Sequence, residues 1–251
     1  MSVSFAQLLH RGHAHNDYLK QVPLFSALEA GLTSIEVDIY DVKGEIRVAH
    51  IPLFLKNKPL LKELYFEPLA QRIKSNGGTV FKDDSTQLIL MIELKRNHPT
   101  LLNLLRSELE SYNALIDIPR GENKKWGPIK ILLTGGVSLD LIKNEEIAFF
   151  SLDGGWNRLK KGVEANFFPR ISMNYSSHFT WKGRGDIPAD ELEWLKETIK
   201  RANELGCELR FWNMPNKEVI WKEFLEKGVH RINVDKYEKF SRCCLEMSTD
   251  F

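Results

Sequence analysis

Short apolar runs alternate with amphipathic stretches along nearly the whole chain, and this alternation constrains the fold more than any single motif does. Residues 87–95 (QLILMIELK) are almost continuously apolar, as in a strand buried on both faces. Residues 99–112 follow with leucines at helical spacing. The pairing recurs as strand 129–134 with short helix 138–144, and strand 147–152 with a weakly patterned helix 154–163. Strand 170–173 then precedes a strong helix 188–205, strand 207–212 precedes helix 217–227, and 229–235 is a last strand. Gly206 and Gly228 end the two later helices. Upstream, the apolar segment 5–9 leads to a strand ending near His13. Pro23 opens a helix with Leu24, Phe25, Leu28 and Leu32 on one side. Residues 34–40 form a strand, Lys43-Gly44 a turn, 45–50 a returning strand, and 60–76 an amphipathic segment ended by Gly77-Gly78. About eight strand–helix units without a linker predict one domain over residues 1–251, a single (β/α)8 TIM barrel. A doubly wound open sheet is the competing arrangement.

A barrel gathers the C-terminal ends of its strands on one face, where catalytic groups sit. The polar residues ending the expected strands are His13 and His15, Glu36 and Asp38, Glu93 and Lys95, Asn174, Trp212 and Asn213, and Asp235. Glu36 and Asp38 stand two apart in Ser34-Ile35-Glu36-Val37-Asp38-Ile39-Tyr40, so both carboxylates leave the strand on one side. Two such charges need a cation, a proton or a basic partner. Histidines precede them at His13 and His15 and follow at His50. Oxygen ligands with histidines nearby suggest a hard divalent metal and proton transfer.

Composition narrows the partners. A net charge of +1 lacks the basic excess of a general nucleic-acid binder. No apolar run is long enough to cross a bilayer, and residues 1–9 lack the three-part plan of a signal peptide. A soluble protein is expected, its compartment open, secreted or periplasmic if a leader has been removed. Cys207, Cys243 and Cys244 have neither zinc-ligand spacing nor the density of a disulfide scaffold. Oligomeric state is not legible.

Several motifs together resemble the superfamily that joins glycerophosphodiester phosphodiesterases with phosphatidylinositol-specific phospholipase C. They are His13-Ala14-His15-Asn16-Asp17-Tyr18, the helix Pro23-Leu24-Phe25-Ser26-Ala27-Leu28-Glu29-Ala30-Gly31, Glu36-x-Asp38, Val48-Ala49-His50, Glu93-Leu94-Lys95, Phe211-Trp212-Asn213 and the closing stretch 228–235. The resemblance implies that Glu36, Asp38 and Glu93 bind Mg²⁺ or Ca²⁺. It makes His50 one acid–base catalyst and His13 or His15 the other, with the spacing to Glu36 favouring His13 and an orienting role left to His15. It implies that Lys95 contacts the phosphate and Trp212 walls the pocket. Asn174 is a further substrate-contact candidate, with a capping role as the alternative. The implied reaction is cleavage of a phosphodiester, either a glycerophosphodiester or a phospholipid head group. The Pro-Glu-Asn-Thr element of glycerophosphodiesterases is missing, and Ile51 follows His50 where relatives often carry Asp.

Two other readings compete. His13 and His15 also resemble the His-x-His metal pair of amidohydrolase-like barrels, for which His178 and His230 are the available later histidines. A barrel that binds a phosphoester or phospholipid without turnover is the third reading. The pairs Lys124-Lys125 and Lys160-Lys161 read as solvated, and Trp181-Lys182-Gly183-Arg184-Gly185 as a flexible connection.

Overall fold

The computed structural model describes residues 9–96, 98–162 and 164–249. Eight parallel strands close into a barrel with helices outside, the (β/α)8 architecture expected. The strands are β1 (Gly12–Ala14), β2 (Ser34–Val42), β3 (Glu45–Val48), β4 (Leu88–Leu94), β5 (Ile129–Thr134), β6 (Phe150–Gly154), β7 (Arg170–Asn174), β8 (Glu208–Trp212) and β9 (Arg231–Val234). The helices are α1 (Phe25–Glu29), α2 (Glu67–Ser75), α3 (His98–Glu110), α4 (Trp156–Lys161), α5 (Ala189–Glu204), α6 (Glu218–Lys227) and α7 (Tyr237–Thr249). The extra strand, β3, pairs antiparallel with β2 as a hairpin. Contacts divide the chain into two compact units. One comprises Asn16–Leu28 and Thr33–Leu152; the other runs to His15, includes Glu29–Leu32 and resumes at Asp153.

In the first of these units, Ile35, Val37 and Ile39 of β2 are fully buried, as are Leu88, Leu90 and Ile92 of β4. Leu101, Leu102, Leu105 and Leu109 form one stripe of α3 and are also buried, which is why this stretch is a helix lying on the sheet. Burying each leucine-sized side chain stabilises by about 1.5–3 kcal/mol. The parallel register sets Asp38 beside Glu93 and Glu36 beside Met91. The apolar residues that anchor β2 and β4 therefore fix where the carboxylates emerge.

In the other unit the strands alternate strictly. Ile171, Leu209, Phe211, Ile232 and Val234 form one face and are fully buried. The opposite face is polar and layered. Arg170 lies opposite Glu208 in register, and the Glu208 carboxylate takes paired hydrogen bonds from Arg170 (3.0 and 2.7 Å) and from Arg231 (2.9 and 2.7 Å). One residue pair further along, Arg210 donates to Asn233 Oδ1 at 2.7 Å, and Asn233 is the register partner of His13. Two planar guanidinium forks on one carboxylate satisfy charges that would otherwise be too costly to bury.

Some local expectations shift. The helix after Pro23 is only five residues, and Phe25 is exposed because the buried side of this segment is Leu24, Ala27 and Leu28. Residues 138–144 supply only a 3-10 turn at Leu139–Leu141, and the strand expected at 147–152 starts at Phe150 and runs to Gly154. The connection 181–185 is anchored rather than loose. Trp181 is buried, its indole Nε1 donates to Gly185 O, its backbone N–H donates to Glu191, and its carbonyl accepts from Tyr175 Oη at 2.7 Å. The closing helix α7 was not anticipated, although Tyr237, Phe240, Cys243, Cys244 and Met247 have helical spacing and are buried. The apolar segment expected at 5–9 lies, up to residue 8, outside the described residues.

Candidate metal and phosphoester site

Glu36, Asp38 and Glu93 each offer a carboxylate oxygen within 4.8 Å of the others. Asp38 is the pivot. Its Oδ2 accepts from Tyr18 Oη at 2.7 Å and meets His50 Nδ1 at 3.0 Å and Lys95 Nζ at 2.8 Å. Lys95 Nζ also reaches Glu93 Oε1 at 2.7 Å. Asp38 Oδ1 is buried and has no hydrogen-bond partner among the described residues. A buried carboxylate oxygen without a donor is unfavourable in a packed protein and calls for an explanation such as an ion. Three carboxylates, no cysteine and one such oxygen fit a hard divalent cation better than zinc.

The local electrostatics follow from this crowding. Burial, with Asp38 and Glu36 beside it, raises the Glu93 pKa against the opposing pull of Lys95. Burial alone would lower the Lys95 pKa, but the bonds to Asp38 and Glu93 outweigh it and the ammonium is held charged. Tyr18 is pushed well above the ordinary phenol value by burial and by its bond to Asp38, so it remains a donor. Close approach to Glu93 depends on Gly135, just past β5. Its φ is +90°, and a Cβ there would sit 2.6 Å from Leu94 O and 3.1 Å from Glu93 Cγ.

Tyr18 is the residue that sequence reasoning left unassigned. It touches Asp38, Asn16 Oδ1 (3.1 Å) and His50 Nδ1 (3.2 Å), and so ties the opening motif to β2 and the hairpin. Its signal was its place in the opening motif, after Asn16-Asp17. Asp17 is structural: fully buried, it accepts from Leu24 N–H (2.5 Å) and Tyr65 Oη (3.0 Å) and holds the turn that presents Tyr18. His50 is exposed, and Ala49 N–H on Asp38 O fixes the backbone leading to it.

The other candidates lie in the second unit. His13 is fully buried; burial, then the charges of Arg210 and Arg170, lower its pKa well below 6.5, which keeps the ring neutral. His15 is part-exposed, with Nδ1 2.8 Å from Asp235 Oδ1. Asp235 is itself held by Asn216, which donates to Oδ2 and accepts from the Asp235 backbone N–H. Trp212 is 42% exposed, so it is not a core residue. Asn174 caps the turn that follows β7, accepting from Ser176 N–H at 3.0 Å, and also receives Asn213 Nδ2 at 3.2 Å. The later histidines of the amidohydrolase-like reading hold structural posts. His178 stacks on Trp194 with ring centres 4.2 Å apart, and His230 accepts from Leu209 N–H while its Nε2 meets Asn203.

Comparison with known proteins now places the chain. A sequence profile for the AIM6-like phosphodiesterase domain matches residues 7–150, more than half of its length. The chain belongs to the AIM6-like phosphodiesterase family. It is 27% identical over 258 residues to the altered inheritance of mitochondria protein 6 homolog of Arthroderma benhamiae, covering 89% of this chain and 80% of that protein. It is 27% identical over 239 residues to altered inheritance of mitochondria protein 6 of Saccharomyces cerevisiae, covering 81% of this chain but 61% of that relative. The fold of this AIM6-like chain is similar to a Silicibacter pomeroyi protein assigned as a glycerophosphoryl diester phosphodiesterase (TM-score 0.61, 11% identity, 98% and 95% of the two chains). It is also similar to an Oleispira antarctica phosphodiesterase solved with its product sn-glycerol-3-phosphate (TM-score 0.55, 12% identity, 97% and 100%).

Proposed function

We propose that residues 1–251 act as a metal-dependent phosphodiesterase domain that cleaves a small-molecule phosphodiester, a glycerophosphodiester or a phospholipid head group. The observation that carries this reading is the Glu36–Asp38–Glu93 cluster, with Asp38 Oδ1 buried inside it without a hydrogen-bond partner among the described residues and Lys95 and His50 against it. Glu36, Asp38 and Glu93 would hold Mg²⁺ or Ca²⁺, which would supply Lewis-acid stabilisation of charge on the phosphoryl oxygens. Lys95 adds a fixed positive charge for the same oxygens. Asp38 and Tyr18 hold His50 by Nδ1, so a proton passes through its Nε2 at the exposed side.

The second proton-transfer group comes from the opening pair, as the family resemblance implies. His15 is the member with solvent access and with a carboxylate on Nδ1, the arrangement that fixes a tautomer for general acid or base work. His13, buried and neutral, is the member suited to holding the segment in place. Trp212 and Asn174 are the proposed substrate contacts. The test is cleavage of bis-(p-nitrophenyl) phosphate after chelator treatment and readdition of Mg²⁺ or Ca²⁺. Turnover should require the metal and fall roughly 10²–10⁴-fold in His50→Ala. Metal-independent turnover, or an Asp38→Asn protein as active as the wild type, would count against the assignment.

A further inference from the structure

Ten large apolar side chains are prominently exposed among the described residues, and six of them fall in two short segments: Leu19, Val22 and Phe25, and Ile51, Leu53 and Phe54. Both segments begin at the site. Leu19 follows Tyr18, Ile51 follows His50, and Tyr18 Oη lies 3.2 Å from His50 Nδ1 over Asp38. Segments 18–29 and 51–63 carry four lysines, Lys20, Lys56, Lys58 and Lys62, against two glutamates, Glu29 and Glu63, and the stretch from Ile51 to Lys62 is charged by lysines alone.

The second segment is a built loop. Its base is closed by Val48 N–H on Pro59 O (3.0 Å) and by Arg47 Nη1 on Lys58 O (2.6 Å). Asn57 N–H on Phe54 O (3.0 Å) turns the tip. Phe54 sits at the tip with φ 52°, a conformation that bulky residues rarely adopt, and 73% of its surface is exposed. A fixed backbone thus carries a phenyl ring in water, and exposed apolar side chains concentrated in two segments that start from one site point to a docking surface.

We infer that these two segments form an apolar, lysine-flanked rim that docks on an anionic phospholipid surface. Exposed apolar side chains with an excess of lysine beside them are the composition of interfacial binding, in which the apolar part enters the boundary between head groups and acyl chains while lysines meet the anionic head groups. A rim beginning at Tyr18 and His50 sets the carboxylate cluster at the head-group level, where a phospholipid's diester lies. That placement rests on the function proposed above; the docking itself does not.

The experiment reads binding without turnover, by sedimentation of the protein with vesicles of phosphatidylcholine alone and with about 30 mol% phosphatidylserine added. Wild-type protein should partition onto the anionic vesicles at about 0.1 M salt and much less at about 1 M. Leu53→Ser with Phe54→Ser should lower the partition coefficient at least about tenfold, since two exposed apolar side chains lose their burial in the interface. Lys56→Glu with Lys58→Glu should remove the preference for anionic vesicles. Both variants should keep the wild-type melting temperature and wild-type turnover of a soluble diester. Three results would overturn the inference: no wild-type binding at low salt, equal binding by the Leu53/Phe54 variant, or a concentration-dependent dimer lost in that variant, which would assign the patch to a second copy of the chain. Inactivity towards soluble diesters alongside salt-sensitive vesicle binding would fail the proposed reaction and leave the docking standing.

Discussion

His13 makes a sharp stability prediction, because its ring is fully buried and feels the charges of Arg210 and Arg170. Burial comes first, then the charges of Arg210 and Arg170, and both oppose protonation, so the folded-state pKa lies well below the 6.5 of an unfolded chain. A lowered histidine pKa means that the unfolded chain takes up a proton that the folded chain refuses. Stability from this group is therefore complete above 6.5 and is lost as pH falls through that value. Between about pH 7.5 and about pH 5, full exclusion of the proton gives a loss of about 2 kcal/mol. In a protein of this size that corresponds to roughly 4–8 °C in Tm. The perturbation is His13→Gln, and the assay is chemical or thermal unfolding at a series of pH values. Absolute slopes mix several groups. His178 and His230 are lowered in the same sense, while Glu108 and Glu145, pushed up to about 7 by burial, act in the opposite sense. The difference between wild type and His13→Gln cancels them. That difference should change by about 2 kcal/mol across the interval even if the variant is less stable at every pH. Parallel curves would mean that His13 titrates normally in the folded protein, and the buried neutral ring would be refuted.

The carboxylate cluster predicts that Mg²⁺ or Ca²⁺ at about 100 times its Kd stabilises the protein by about 2.7 kcal/mol, read as a Tm rise of roughly 5–10 °C. Asp38→Asn should abolish that rise, and an unchanged rise would place the ion elsewhere. His50→Ala should lose roughly 10²–10⁴-fold in kcat with the metal-induced Tm rise intact, and so should His15→Ala if His15 carries the second proton; wild-type kcat in His15→Ala would return that role to His13. Gly135→Ala puts a methyl 2.6 Å from Leu94 O at a φ of +90°. It should destabilise the fold by more than about 1 kcal/mol and weaken metal affinity through displaced Glu93, measured by unfolding and by calorimetry.

What the sequence disclosed, it disclosed through periodicity. Ile129–Thr134 agrees residue for residue with its expected strand, and β4 and α5 agree to within one or two residues at each end, because their apolar spacing states one period without ambiguity. The carboxylates were legible for a related reason: charges on a strand two residues apart, among isoleucines and valines that must be buried, have one face available. Residues 138–144 have no sustained period, and there local turn chemistry at Ser138 won, its hydroxyl accepting from Asp140 N–H in place of a helical turn.

The difference between His13 and His15 was not legible, and the reason is physical. Both occupy the same face of one extended segment, so side-chain direction treats them alike, and the spacing to Glu36, which favours His13, carries no information on depth. What separates them is depth along the strand, and depth is set by partners more than two hundred residues later. His13 falls in register with Asn233, in the layer where Arg210 is buried, whereas His15 N–H bonds Val234 O and its ring reaches Asp235. One histidine thus meets guanidinium groups and the other a carboxylate. Burial and the charges of Arg210 and Arg170 favour the neutral ring of His13, whereas the Asp235 carboxylate on Nδ1 fixes the orientation of the His15 ring. Two residues of offset therefore turn one motif into two chemically different histidines, and only the register of β1 on β9 says which is which.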